Sequence, residues 1–259
     1  MKLKLLASLV GILAAVPAFA DTKAKPYTLG DLKALVSQKA YEEAVEHLGD
    51  LPPSERNAEW LDVAATAAAG FVGQLPVEQI VYGIEAVERA YPQVLTSAKY
   101  TKSRGELGLR GYARFLDRAG GGGLEQATRF LDGEPANGGL ALGMGKVVLR
   151  AFSTKYAAAP FFKRAVTGKA PPSGACKDED LKTALVSALG LPRDYDGAAA
   201  ARAIAEACWS EQKQTIVEQL DGAAAGGSGY VLANTCEILK AKKALTAKQT
   251  RICAGDKDD

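Results

Sequence analysis

The sequence predicts an all-α fold of antiparallel helix pairs, repeat-like or irregular, closed by a disulfide-stapled C-terminal helical segment. Three observations predict it. Helix-forming Ala, Leu, Glu and Lys are abundant, while the 259 residues include only 11 prolines. Apolar residues recur at three- and four-residue spacing between almost all the breakers, and no sustained strand-type alternation competes. All four cysteines, Cys176, Cys208, Cys236 and Cys253, lie in the last third of the chain.

The amino terminus reads as an export signal. Lys2 and Lys4 precede an apolar run from Leu5 to Val16, and Ala18-Phe19-Ala20 places small residues where a signal peptidase reads them. Cleavage is expected before Asp21, giving a signal peptide over 1–20. The run is short for a ~30 Å hydrocarbon core. No stable membrane insertion is expected after signal removal, and the mature chain is placed in the periplasm or outside the cell.

The first helix starts at Thr28 with Asp31 three residues on, and carries Leu29, Leu32, Leu35 and Val36 at helical spacing. A second covers Tyr41 to Leu48 and ends at Gly49 and the Pro52-Pro53 pair. Ser54 is the expected cap of a third, which carries Trp60, Val63, Ala64, Ala67 and Phe71. Pro76 fits the first turn of a fourth, with Ile80, Val81, Ile84, Val87 and Tyr91 before Pro92. Further helices are expected over about 94–103, 106–119 and 123–132.

Beyond residue 119 the chain is rich in glycine, in "AGGGGLEQ" and "NGGLALGMGK", and these stretches read as loops or hinges. Helix is expected again over 147–166. "GKAPPSGAC" at 168–176 cannot continue a helix and is the best domain boundary. The expected organisation is a helix-pair domain over 21–133, glycine-broken helices and a linker over 134–170, and a stapled helical domain over 171–259.

"EEAVEHLGDLP" at 42–52 and "EQATRFLDGEP" at 125–135 share Glu, Ala, Leu and Pro in register, with "IEAVERAYP" near the midpoint. The spacing suits stacked helix pairs; a non-repetitive bundle obeys the same packing rules. Trp60, Val63, Ala64 and Ala67, together with Tyr41 and Ala44, resemble the tetratricopeptide-type helix pair over residues 29–135. That resemblance implies a protein-binding groove and names no ligand. The glycine which that pattern has before Tyr41 is missing.

Cysteines clustered in an exported chain argue for disulfides. Cys176 and Cys208 lie equally far from Pro192, the break of a helix hairpin. Cys236 and Cys253 flank a break near Ala244 to Thr246, where Thr246 and Gln249 form a capping box. The geometry favours Cys176–Cys208 with Cys236–Cys253; the rival pairing nests Cys208–Cys236 inside Cys176–Cys253.

No catalytic, cofactor-binding or metal-binding residue is singled out. His47 is the only histidine, and a helix C-terminus between Glu43 and Asp50 accounts for it structurally. "GGLALGMGK" fails the phosphate-loop pattern, with Leu140 where glycine is needed and Val147 where a hydroxyl is needed. Removing residues 1–20 takes two lysines and no acid, leaving 30 basic and 30 acidic side chains. That balance argues against nucleic acid as a partner.

The charges are unevenly distributed. Residues 21–92 carry 6 basic and 12 acidic groups, and residues 93–175 carry 13 and 5. Arg110, Arg114 and Arg118 form a row along one helix face. The row either binds an anionic ligand or is neutralised by the acidic first segment. The expected function is therefore a non-catalytic protein-interaction or scaffolding role with another envelope or extracellular protein. The alternatives are an envelope hydrolase or lyase using paired carboxylates, and anion binding through the arginine row.

Overall fold

Thr28 opens the first helix as the sequence predicts. Its hydroxyl accepts from the Asp31 N–H, and the Asp31 carboxylate accepts in return from the Thr28 N–H. The structure, a computed structural model, describes residues 26–226 and 228–255. The expected signal peptide over 1–20 lies outside the described residues. Among those described there are thirteen α-helices and no strand. No described helix is long and apolar enough to cross a membrane.

The first half contains α1 (Leu29–Ser37), α2 (Tyr41–His47), α3 (Ala58–Gln74), α4 (Ile80–Ala90), α5 (Ala98–Ala119) and α6 (Gly121–Asp132). The second contains α7 (Gly138–Ala151), α8 (Ala159–Thr167), α9 (Glu179–Leu189), α10 (Asp196–Ala207), α11 (Trp209–Ala224), α12 (Gly229–Ala241) and α13 (Ala247–Ala254). Helix α5 is the central spar, packing against α3, α4, α6 and α7. Helix α10 links α8 and α9 to α11 and α12. The buried apolar side chains form one cluster from Leu32 to Leu239, with Trp60, Phe162 and Leu181 among the largest.

Several local expectations need correction. Ser54 does not cap the third helix. It lies in a 3₁₀ turn (Pro53–Glu55) imposed by the two prolines, and Asn57 caps instead, accepting from the N–H groups of Glu59 and Trp60 at 3.0 Å each. Pro76 precedes a 3₁₀ turn, and α4 begins only at Ile80. The helices expected over 94–103 and 106–119 are one, α5. Conversely, the stretch 147–166 is divided between α7 and α8. Phe152 is extended, and Pro160, which has no N–H to donate, stands in the first turn of α8.

The glycine-rich stretches are mostly helix, not loop. Only Gly120 turns the chain, at φ +56°, between α5 and α6. The glycines of α7 are there for closeness. A Cβ on Gly138 would lie 2.4 Å from the Ala170 carbonyl oxygen, and one on Gly143 would lie 2.7 Å from Leu109. Lys146, the lysine of the failed phosphate-loop pattern, pairs with Asp178 at 2.5 Å and so ties α7 to the capped start of α9.

Candidate functional site

The chemistry concentrates in a cleft of about 480 Å³ walled by α4 and α6 and floored by α5. The cleft forms because α5 presents Gly108 to α6 and Gly111 to α4, whereas Gly105 faces Leu140 of α7 at ordinary contact distance. A Cβ on Gly108 would lie 2.1 Å from Phe130, and one on Gly111 would lie 2.8 Å from Ile80. Without side chains there, α4 and α6 approach α5 closely. Arg104, one turn before Gly108, is then enclosed with only 2% of its surface exposed.

A buried guanidinium must be paired and hydrogen-bonded to be tolerated. Arg104 donates from Nε to Glu88 Oε1 at 2.5 Å and from Nη2 to Glu88 Oε2 at 3.2 Å. Nη1 donates to Glu134 Oε1 at 3.2 Å, and Nη2 also donates to the Phe130 carbonyl at 2.9 Å. The guanidinium carbon stands 3.9 Å from the centre of the Phe130 ring. Burial alone would depress the Arg104 pKa. Hydrogen bonding and charge from Glu88, then the charges of Glu134 and Tyr100, outweigh it and hold the group above the usual arginine range.

Two tyrosines complete the surroundings. Tyr100 donates its hydroxyl to Glu88 Oε1 at 3.1 Å, and Tyr112 donates to the Gln126 carbonyl at 3.0 Å. Burial raises both phenols far above their ordinary value; next in size is the charge of Glu88 at Tyr100 and of Glu85 at Tyr112. Glu134 also accepts from the Asn137 side chain, which caps α7. The network thus spans α4, α5, the end of α6 and the start of α7.

Around this base the cleft is lined by Glu85 and Arg89 from α4 and by Gln126 and Arg129 from α6. Arg129 pairs outward with Glu125. Among the described residues, no hydrogen bond or ion pair reaches the side chain of Glu85, Arg89 or Gln126. The acids of the lining are Glu85 and Glu88. Because Glu88 is committed to Arg104 and Tyr100, they do not form a pair of free carboxylates.

The predicted arginine row exists but lies away from this cleft. Arg110, Arg114 and Arg118 are all exposed on α5. Arg114 and Arg118 share Glu78 at 3.8 Å each. One acid from the acidic first segment thus faces two of the three guanidinium groups. Beside them, the exposed Tyr82 meets Phe115 edge to face at 5.7 Å.

Both favoured disulfides are present. Cys176–Cys208 has its Cα atoms 5.2 Å apart and Cys236–Cys253 has them 5.6 Å apart. The α9–α10 hairpin brings the first pair together, and Asn234 closes its turn by donating to the Leu189 and Leu191 carbonyls. Thr246 and Gln249 cap α13 reciprocally, as predicted. His47 pairs with Asp50 at 3.0 Å and is stacked by the Tyr27 ring at 3.8 Å, while Glu43 accepts the Tyr27 hydroxyl. Among the described residues, no group of His, Cys, Asp and Glu could hold a metal ion.

Sequence reading passed over Arg104, the most constrained charge in the cleft. The available signal was "SRGELGLRG", an arginine leading three glycines at three-residue spacing, which marks a helix face built for close contact. Searches against protein-family models, curated proteins and solved structures found no match to this chain.

Proposed function

We propose that this is a non-catalytic interaction or scaffolding protein of the cell envelope, which seats a segment of another envelope or extracellular protein in the α4–α5–α6 cleft. The carrying observation is the state of the two lining acids. Glu88 is saturated by Arg104 and Tyr100 while Glu85 stands alone, so the cleft offers recognition groups in place of a working carboxylate pair. Its size suits a short peptide stretch. Two disulfides fit folding in an oxidising compartment, consistent with export through residues 1–20. The tetratricopeptide-type resemblance of residues 29–135 points the same way.

A photo-crosslinking residue placed at Gln126 in living cells tests this reading. The expected result is a discrete adduct with one envelope or extracellular protein. The comparison is the same residue at the exposed Lys213 on α11. Adducts from Gln126 no different from those at Lys213 would overturn the proposal.

A further inference from the structure

The geometry points to an acidic side chain of the partner polypeptide as the group that the α4–α5–α6 cleft recognises, held between Arg89 and Arg129 above Arg104. This rests on the reading of the cleft as a docking site and adds the chemistry of what docks.

Four observations lead there. Arg89 and Arg129 line the cleft from opposite walls, so a carboxylate between them closes the two helices on one ligand. Arg89 has no ion pair or hydrogen bond among the described residues. Arg129 is held only by Glu125 on its own helix, and both of those side chains are 71% exposed. Pairs of that kind are weak, so Arg129 is free to turn inward. At the base, an arginine has five N–H donors and Arg104 uses four of them in its bonds to Glu88, Glu134 and the Phe130 carbonyl. The remaining Nη1 proton has no acceptor among the described residues and belongs to a residue lining the cleft.

The lining also fixes which anion fits. Glu85 puts negative charge on the α4 wall, while the charge of Glu88 is matched by Arg104. A single carboxylate is matched by the two arginines at the mouth, whereas a phosphate carries more charge into that wall and is disfavoured. The Glu85 carboxylate and the Gln126 amide, both unoccupied, are suited to the amide groups flanking the ligand's side chain.

Isothermal titration calorimetry with the full mature chain tests this, using short capped peptides centred on Glu, Gln, Lys or phosphoserine. The Glu peptide is expected to bind most tightly. Arg89→Ala and Arg129→Ala should each weaken it roughly tenfold or more, the scale of a close charge pair across an interface. Arg110→Ala removes equal charge outside the cleft and should leave binding unchanged. Equal binding of the Glu and Gln peptides, tighter binding of the phosphoserine peptide, or insensitivity to both cleft variants would overturn the proposal. Failure here is separable from failure of the docking reading: a partner crosslinked at Gln126 through a segment without Asp or Glu keeps that reading and sinks this one. Tight Glu-peptide binding without any cellular adduct does the reverse.

Discussion

Arg104 and Glu88 meet as a two-point fork, with Nε on Oε1 at 2.5 Å and Nη2 on Oε2 at 3.2 Å, and so fasten α5 to α4 beneath the cleft. Removing one member of such a buried pair leaves the other charged and unmatched. Arg104→Met should destabilise the protein by about 3–5 kcal/mol. Arg104→Lys keeps the charge but cannot make the fork, and should still cost roughly 2 kcal/mol. The double variant Arg104→Met with Glu88→Leu should recover part of the first loss. Urea unfolding midpoints check all three, and a double variant less stable than Arg104→Met would refute the account.

The glycines of α5 separate close packing from flexibility. Gly108→Ala would drive a methyl group into Phe130, a clash expected to cost about 1–3 kcal/mol, partly offset by roughly 1 kcal/mol of helix propensity. Gly122 in α6 has nothing within 4 Å of a built Cβ. Gly122→Ala should therefore stabilise by about 0.5–1 kcal/mol. Opposite shifts in thermal midpoint are the expected outcome. Equal shifts would show that α5 does not pack as described.

The disulfides constrain chain segments of different length, with separations of 32 and 17 residues. Loop-closure entropy assigns about 3.7 kcal/mol to Cys176–Cys208 and about 3.2 kcal/mol to Cys236–Cys253, a difference of roughly half a kcal/mol. The first should exceed even that difference, because Cys208 is fully buried and its replacement also disturbs packing. Paired Cys→Ser variants compared by denaturant titration give the two values. Non-reducing peptide mapping should recover the 176–208 and 236–253 crosslinks.

Alkaline pH should unfold the chain through Tyr100 and Tyr112. Both folded pKa values are raised by burial, above an unfolded value of about 10. The resulting stability is complete below that unfolded value and is lost as pH climbs towards the folded ones. The loss approaches about 1.4 kcal/mol per pH unit for each tyrosine. Tyr112→Phe should flatten the stability profile in that range, measured by urea titration at a series of pH values. An unchanged slope would mean that Tyr112 ionises freely in the folded protein.

Asp50 acts at the other end of the scale. Its carboxylate accepts from the Tyr27 N–H and then from His47, and these bonds lower its pKa. The stability it contributes is present above the unfolded aspartate value of about 3.9 and disappears as pH falls through the folded one. Asp50→Asn should lose that acid-side dependence, with the Tyr27–His47 stacking monitored by tyrosine fluorescence. Persistence of the full acid response in the variant would place it elsewhere.

Much of the fold was legible in the residues. The caps at Thr28 and Thr246 could be read because a capping box is written in two residues three positions apart and acts locally. The same holds for the two disulfides, since Pro192 and the 244–246 break set where each hairpin turns. The cleft was much less legible. Glycine is ambiguous in isolation: the spacing that suggested loops at 137–146 instead places α7 against Leu109 and Ala170.

The sequence alone thus determined the helical class, the capping boxes at Thr28 and Thr246 and the helix face of Arg110, Arg114 and Arg118, and it favoured the cysteine pairing that forms, because each depends on periodicity or on short chain separations; it misplaced the cap of α3, which is Asn57 and not Ser54. Tertiary structure decided that α5 runs unbroken past three glycines. It also decided that Arg104 is buried against Glu88 and Glu134, 16 and 30 residues away. No local pattern specifies such partners. They are selected when three helices come close enough to remove water from the guanidinium, which then binds whichever carboxylates the packing brings within reach.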